Sequence, residues 1–280
     1  MKKNILTALF IALFCTAVSA QPPQPPKSVK FAGENISLER SDLYERMDRE
    51  LITFTYGHTN SVLMLKRSDR VFRTVVPILK KYGIPEDLKY LMAIESNLDP
   101  MAYSSAGAAG LWQFMASTAK IYGLEVNANV DERYNVEKAT DAACRYLLDA
   151  YAKYGDWMTV AASYNSGMNG VSRRVDRQHQ SSAMNLWLPR ETMRYMFRIL
   201  AAKMFFENPS QFGFDVKDRY EYIAPKEIVT VTDPIEDLVS FAEAHGVSYF
   251  QLKNANLWLR GDKLNNASHR EYRIIIPKDK

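Results

Sequence analysis

The sequence predicts an α+β fold, in which a predominantly helical domain is followed by a small βααβ module. Apolar residues recur at spacings of three and four through most of residues 38–206, which is the period of amphipathic helices. Short runs rich in β-branched residues occur at residues 228–232 and 272–276, with two helical patterns between them. The helical pattern of apolar residues ends near Pro209, so residues 210–226 are interpreted as a linker between the two units.

The helical domain is predicted over residues 38–209, after a flexible, proline-rich lead at residues 21–37. Helical periodicity runs through residues 38–82, and Pro85 opens the next helix at a position where proline is tolerated. Residues 98–116 contain too many small residues for an amphipathic helix, so they predict a shaped loop. Three further helices are predicted, over residues 135–154, 157–165 and 189–206.

The second unit is predicted over residues 227–278. Its expected order is strand, helix, helix and strand, over residues 228–232, 235–245, 249–255 and 272–276. Four elements in a segment of about 50 residues are typical of a small separate module.

The composition fits a globular chain and excludes several classes of site. The 280 residues are 47% hydrophobic and 24% charged, which is enough for a sizeable core. Lys and Arg number 36 against 32 Asp and Glu, an excess too small for a chain devoted to nucleic acid. Two cysteines exclude a disulfide scaffold, and four separated histidines exclude a zinc-protease motif. We expect no metal site and no cofactor.

The amino end has the three-part pattern of a cleaved signal peptide over residues 1–20. Lys2 and Lys3 precede an apolar run, and small residues precede a cleavage site after Ala20. The run of about 14 residues is short for a membrane span, which needs about 20. An uncleaved anchor is the alternative. We expect a soluble protein outside the cytoplasm, with Cys144 as a buried, unreactive thiol.

One carboxylate lies on the apolar face of the helix that Pro85 opens. Leu88, Leu91 and Met92 form that face, and the same spacing continues to Glu95. Burial and the nearby helix carboxyl end both raise the pKa of such a carboxyl. A carboxyl that stays protonated near neutral pH can act as a general acid. The alternative is a structural glutamate that pairs with an arginine or caps backbone amides.

Polar groups that suit sugars follow this helix. The glycine-rich stretch lacks the Gly-Lys-Ser/Thr ending of a phosphate loop, but it allows a close approach to the backbone. The amide of Gln113 offers donors and an acceptor for hydroxyl and N-acetyl groups. Tyr164 and Asn165 end a predicted helix, and such a pair taken alone is more often only a helix end.

Four ordered motifs resemble those of the soluble lytic transglycosylase family (family 1), whose domain is goose-lysozyme-like. The motifs are Glu95-Ser96, GLWQFM at residues 110–115, ASYNSG at residues 162–167, and LPRET at residues 188–192 with Tyr195. The resemblance extends over about residues 70–205 and implies a lysozyme-like helical domain. Ala116, Ser163 and Ser166 depart from the usual proline and alanines, which puts fine substrate preference in doubt.

The resemblance implies roles for particular residues. Glu95 would be the catalytic acid and then the base, and no metal is required. Ser104 would help to hold the substrate and Glu95, and Tyr195 would bond near Glu95. Gln113 and Met115 would line the cleft, and Tyr164 and Asn165 would contact the sugar. The implied substrate-binding set is Ser104, Gln113, Met115, Tyr164, Asn165 and Tyr195.

The carboxyl-terminal unit resembles a divergent LysM module, which implies binding to peptidoglycan. The matching segments are residues 235–238, 245–248 and the closing Ile274 to Pro277. Asp233-Pro234 replaces the usual glycine-aspartate entry.

Together these resemblances imply an enzyme of the periplasm or cell envelope, and they leave peripheral association with the wall or outer membrane open. A monomer is the default oligomeric state, and the small charge excess argues against a nucleic-acid partner. It would cleave the β-1,4 bond between N-acetylmuramic acid (MurNAc) and N-acetylglucosamine (GlcNAc) in peptidoglycan strands, forming 1,6-anhydro-MurNAc. Two alternatives stay open: a lysozyme-like muramidase that hydrolyses the bond, and a wall-binding protein without activity.

Overall fold

The structure is a computed structural model that describes residues 21–278, so the predicted signal peptide lies outside the described residues. These residues form a helical domain and a small module with its own two-stranded sheet, which confirms the α+β class. None of the helices within residues 21–278 is both long and apolar enough to cross a bilayer.

The prediction of a flexible lead over residues 21–37 is wrong for its second half. Strand β1 (Ser28–Phe31) pairs antiparallel with β2 (Glu34–Ser37), and the backbone N–H of Ala32 in the turn bonds to Asp87 at 2.8 Å. Alternating apolar residues give the hairpin one face that packs into the core. The buried side chains of that face are Val29, Phe31 and Ile36.

The helical run predicted over residues 38–82 is two helices. Helix α1 (Ser41–Tyr56) ends where the Gly57 N–H bonds to the carbonyl of Thr53, and α2 (His58–Lys81) begins directly afterwards. A Cβ at Gly57 would lie 2.6 Å from the Thr53 oxygen, so glycine permits this tight junction. Apolar residues recur at helical spacing on both sides of the junction, so periodicity alone predicted one continuous run.

The remaining helices of the domain follow the predicted order. Those predicted are α3 (Lys89–Ser96, after a 3₁₀ turn at Glu86–Leu88), α5 (Val136–Tyr154), α6 (Trp157–Ser166) and α8 (Arg190–Glu207). Two helices were not predicted: α4 (Ala116–Ile121) and α7 (Met168–Gln178). Helix α7 has a narrow apolar face, in which Val171 is buried and Met168 and Val175 are half-buried, and its other residues are mostly polar, so little marks it in the sequence.

Cys144 is buried in α5, as predicted. Burial raises the pKa of its thiol to about 12, so the thiolate that a nucleophile requires is not populated at neutral pH.

The predicted linker at residues 210–226 belongs in part to the helical domain. Phe212 and Phe214 are buried, and both rings pack edge-on against Phe205 of α8. Further on, the Tyr220 N–H bonds to the carbonyl of Lys66 in α2 at 2.7 Å. Aromatic burial therefore ties the segment to the domain, which the change in composition did not reveal.

The module has the predicted order of elements. Strand β3 (Glu227–Val231) pairs antiparallel with β4 (Tyr272–Ile276), and α9 (Leu238–Ala244) and α10 (Tyr249–Ala255) lie between them in sequence. Helix α9 starts later than predicted because the Asp237 carboxylate caps the N–H groups of Val239 and Ser240.

Candidate active site

The helix that carries Glu95 ends abruptly. Asn97 and Leu98 both adopt left-handed backbone, with φ of 51° and 55°, a conformation that costs about 1–2 kcal/mol in a residue other than glycine. Arg67 of α2 holds this turn by donating to the carbonyl of Asn97 at 3.0 Å and to Asp99 at 3.1 Å. Contacts from another helix thus offset local strain directly after the candidate acid.

Glu95 is joined to α8 through a short hydrogen bond. The Tyr195 hydroxyl donates to Glu95 Oε1 at 2.6 Å, and Tyr195 itself is buried. A tyrosine hydroxyl therefore takes the place of the arginine or backbone amide expected for a purely structural glutamate.

The surroundings of Glu95 favour its protonated form. Burial raises its pKa to about 7, the bond from Tyr195 acts in the lowering direction, and the charge of Glu191 adds to the rise. Burial and the negative charge of Glu95 hold the pKa of Tyr195 well above its usual value, so Tyr195 stays a donor. A carboxyl with a pKa near 7 populates both of its forms at neutral pH, which suits acid and base work.

Tyr164 connects α6 to the glycine-rich loop. Its hydroxyl donates to the carbonyl of Trp112 at 2.7 Å, and its ring packs edge-on against Tyr146 with centroids 5.1 Å apart. Burial raises the pKa of Tyr164 well above its usual value, and the charge of Glu95 adds to this rise. The electrostatic influence of Glu95 therefore extends to both tyrosines of the predicted site.

Gln113 shapes the loop that carries it. Its backbone is left-handed, with φ of 49°, and its amide nitrogen donates to the carbonyls of Gly110 at 2.8 Å and Ala102 at 3.2 Å. Met115 follows at the start of α4 with 43% of its surface exposed. The amide donors of Gln113 are thus engaged within the loop, and Met115 offers an exposed apolar surface.

The other two predicted residues are held locally. Ser104 closes a turn in which its hydroxyl accepts from the Ala108 N–H at 3.0 Å. Asn165 accepts a bond at Oδ1 from the Thr192 hydroxyl of α8, at 2.8 Å. Because Thr192 and Tyr195 are three residues apart on one helix, α8 orients both Asn165 and Glu95.

The sequence reasoning missed Arg67, Glu191 and Thr192 as supports of the site. A signal for the latter two was present, since they precede Tyr195 by four and three residues and so share its helix face. No comparable signal marked Arg67, which lies 28 residues before Glu95. Within the described residues, no group of three His, Cys, Asp or Glu side chains is placed to hold a metal ion.

Replacing Tyr195 with phenylalanine is expected to raise the pKa of Glu95 by about one unit or more, because a hydrogen bond to a charged group is worth about 1.5–3 kcal/mol. The shift can be measured by NMR titration of the Glu95 carboxyl carbon. Tyr164→Phe is the matched control, since its hydroxyl bonds to a carbonyl instead. A pKa that falls or stays constant in Tyr195→Phe would contradict the assigned bond.

Replacing Glu191 with glutamine is expected to shift the same pKa in the opposite direction. Loss of a negative charge makes the carboxylate of Glu95 easier to form, so its pKa should fall towards the ordinary value. The titration used for Tyr195→Phe measures this, with the exposed Glu221→Gln as control. The shift should shrink as salt is added, because Glu191 is exposed.

Two segments of this chain match known protein families. Residues 77–187 match "Transglycosylase SLT domain", and residues 227–280 match "Soluble lytic transglycosylase C-terminal LysM-like domain".

Curated proteins similar to the chain have related names. It is 29% identical over 256 residues to membrane-bound lytic murein transglycosylase D of Escherichia coli, covering 89% of this chain and 55% of that protein. It is 34% identical over 125 residues to membrane-bound lytic murein transglycosylase F of Salmonella typhi, covering 41% of this chain and 24% of the relative. The chain therefore spans about half the length of the transglycosylase D relative.

Among solved structures, one similar chain is an inactive mutant of lytic transglycosylase Slt from Pseudomonas aeruginosa. It is 20% identical with a TM-score of 0.41, over 54% of this chain and 26% of that one. The two matched families confirm the resemblance that the sequence motifs indicate. The chain thus combines a transglycosylase SLT domain with a C-terminal LysM-like domain of the soluble lytic transglycosylase type.

Proposed function

We propose that this chain is a peptidoglycan lytic transglycosylase that cleaves the β-1,4 bond between MurNAc and GlcNAc. The observation that carries the proposal is the Glu95 carboxyl, whose pKa is raised to about 7 and which is held by Tyr195 at 2.6 Å. This carboxyl lies within the segment matched to the SLT domain. The names of the similar proteins, lytic murein transglycosylases, support the same substrate.

In the proposed mechanism one carboxyl acts twice. Protonated Glu95 donates its proton to the glycosidic oxygen as the bond from that oxygen to C1 of MurNAc breaks, and GlcNAc leaves with a free 4-hydroxyl. The substrate's N-acetyl group stabilises the positive centre at C1. Glu95, now a carboxylate, accepts the proton of the muramic 6-hydroxyl as that oxygen bonds to C1. The product is 1,6-anhydro-MurNAc, and no water is consumed. A pKa near 7 suits both proton transfers, because the protonated and the ionised forms of Glu95 are then both populated at neutral pH.

The remaining site residues have proposed roles that follow from their contacts. Tyr195 holds Oε1 of Glu95 through both steps and stabilises the carboxylate between them. Asn165, anchored through its Oδ1 by Thr192, presents its amide N–H groups to the substrate. Exposed apolar surface at Met115 packs against a sugar ring, and Ser104 and Gln113 fix the shape of the loop beside it.

One observation favours a second candidate, the muramidase hydrolase. Hydrolysis through a positioned water requires a second carboxylate, and Glu191 is close enough for its charge to raise the pKa of Glu95. The two reactions differ by one water in the product. Binding to the wall without catalysis does not require a carboxyl with a pKa near 7. The site therefore supports an inactive wall-binding protein less than it supports either enzyme.

Mass spectrometry of the fragments released from purified peptidoglycan by residues 21–280 tests the proposal. Anhydromuropeptides are the expected products. Fragments heavier by one water would replace the transglycosylase with a hydrolase, and no release would leave wall binding alone. We place the protein in the cell envelope, which agrees with relatives whose names call them membrane-bound. A monomer is the default oligomeric state.

A further inference from the structure

The LysM-like module shares a core with one loop of the SLT domain. Residues 125–134, named here the bridging loop, join α4 to α5 and lie against the module. Val130 of this loop is fully buried and pairs with Leu259 of the module in an antiparallel bridge. Next to it, the Asp131 N–H bonds to the carbonyl of Trp258 at 2.9 Å. Apolar burial and backbone pairing together make this a built interface.

Asn129 bonds to the module through both ends of its side-chain amide. Its amide nitrogen donates to the carbonyl of Lys263 at 2.6 Å, and its Oδ1 accepts from the N–H of Asn265 at 2.8 Å. Its backbone carbonyl accepts from the N–H of Arg260 at 2.9 Å. A Cβ at Gly261 would lie only 2.6 Å from the Asn129 amide nitrogen, so the module closes tightly around this side chain.

Three further contacts extend the interface. The Glu125 carboxylate accepts from Arg270 at 2.8 Å and from the Tyr272 hydroxyl at 2.7 Å. The guanidinium of Arg260 stacks 4.6 Å from the ring centroid of Tyr134. The bridging loop is therefore held by the module along its whole length.

The other side of the bridging loop holds the loop beside Glu95. We name residues 102–115, which carry Ser104 and Gln113, the cleft loop. One guanidinium nitrogen of Arg133 donates to the carbonyls of Gly107 at 2.8 Å and Phe114 at 3.0 Å, and so joins two positions of the cleft loop that are separated in sequence. A buried ion pair with Asp131, at 2.7 Å, fixes the guanidinium in place.

We infer that the LysM-like module is a positioning element for the catalytic cleft, acting through the Asn129 contacts and Arg133 on the cleft loop. The inference rests on the proposed function, because the shape of the cleft loop affects turnover only if the SLT domain cuts glycan. Asn129 touches the module rather than the substrate in this scheme, so it is a positioning residue. Coupling of this kind between adjacent elements is carried by contiguous packed and hydrogen-bonded groups.

Asn129→Ala tests the inference, because it removes two bonds to the module and leaves Glu95 and Tyr195 unchanged. The amides of Ala109 and Gly110, bonded to Phe114 and Ala102, report on the cleft loop. We expect their hydrogen exchange to accelerate about tenfold, within the usual range of coupling between elements. We also expect KM for glycan strands to rise by about the same factor, with the pH profile set by Glu95 unchanged.

Two further variants guard against a trivial outcome. Asn254→Ala, the same chemical change at an exposed position of α10, should leave both measurements at wild-type values. Gly261→Ala changes the module and leaves the sequence of the SLT domain intact. Its added Cβ should displace the Asn129 side chain and so reproduce the effects of Asn129→Ala. Melting temperatures show that each variant is folded.

The outcomes separate the two proposals. If hydrogen exchange in Asn129→Ala becomes faster at residues 259–265 but stays at the wild-type rate in the cleft loop, the positioning role is overturned, even if the enzyme is active. If the wild-type protein releases no fragments, the proposed function fails, while the exchange measurement still decides whether the module holds the cleft loop. A change in the pH profile of Asn129→Ala would also contradict the inference, because it would place the effect at Glu95.

Discussion

Glu95→Gln is expected to reduce the release of anhydromuropeptides at least about a hundredfold, the usual worth of general acid–base catalysis. Glutamine keeps the size of the side chain and can still accept the bond from Tyr195 through its carbonyl oxygen. It has no proton to donate to the glycosidic oxygen and no carboxylate to receive one. Quantitative mass spectrometry of the released fragments measures the loss.

Binding should survive this substitution. The variant is expected to sediment with insoluble peptidoglycan as the wild type does, since the contacts assigned to the sugar lie on other residues. Glu221→Gln, at an exposed site outside both matched domains, should keep full activity. Retention of more than about a tenth of the wild-type rate in Glu95→Gln would remove Glu95 from the role of general acid.

The same variant gives a readout that does not depend on activity. Glu95 has a folded-state pKa of about 7, above the ordinary value of 4.5, so between these values the folded protein binds more protons than the unfolded chain. Wild-type stability from this group is therefore lost as pH rises through that interval. The uncharged glutamine lacks this loss. The melting temperature of Glu95→Gln relative to wild type should increase from pH 4.5 to pH 7.5.

Glu95 as the candidate acid and most of the order of the elements could be predicted from the sequence. The contacts that hold the site could not. Glu95 was predicted because helical spacing places it beside Leu91 and Met92, a local pattern. Tyr195 entered only through family resemblance, because the 100 residues between it and Glu95 hide the contact from any local pattern. The fold was predicted best where a helix has a broad apolar face and worst in α7, whose apolar face is narrow, and in the hairpin at residues 28–37.

Gln113 shows a second limit of prediction from the sequence. Its amide suggested a sugar ligand, whereas in the structure its donors bond to the carbonyls of Gly110 and Ala102. The left-handed backbone at Gln113 brings its side chain back onto its own loop, and no residue type announces that conformation. Backbone geometry of this kind depends on packing against distant segments, here against Arg133.

Gly110→Ala is expected to be the most disruptive single-methyl change in the cleft loop. Gly110 has left-handed backbone, with φ of 74°, and a Cβ there would lie 2.8 Å from the carbonyl carbon of Arg133 and closer still to its oxygen. Both groups are backbone, so neither can rotate away. Left-handed strain of about 1–2 kcal/mol and overpacking of about 1–3 kcal/mol add to a loss of about 2–5 kcal/mol in the free energy of unfolding.

Gly155→Ala separates these two contributions. Gly155 ends α5 with a similar φ of 64°, but nothing lies within 4 Å of a Cβ placed there. It should therefore lose only the strain contribution, measured by urea denaturation, and keep wild-type turnover. Gly110→Ala should lose more stability and also activity, because relief of the overlap moves the cleft loop away from Arg133 and displaces Gln113. Equal losses in the two variants would show that the close approach of the two loops is not tightly packed.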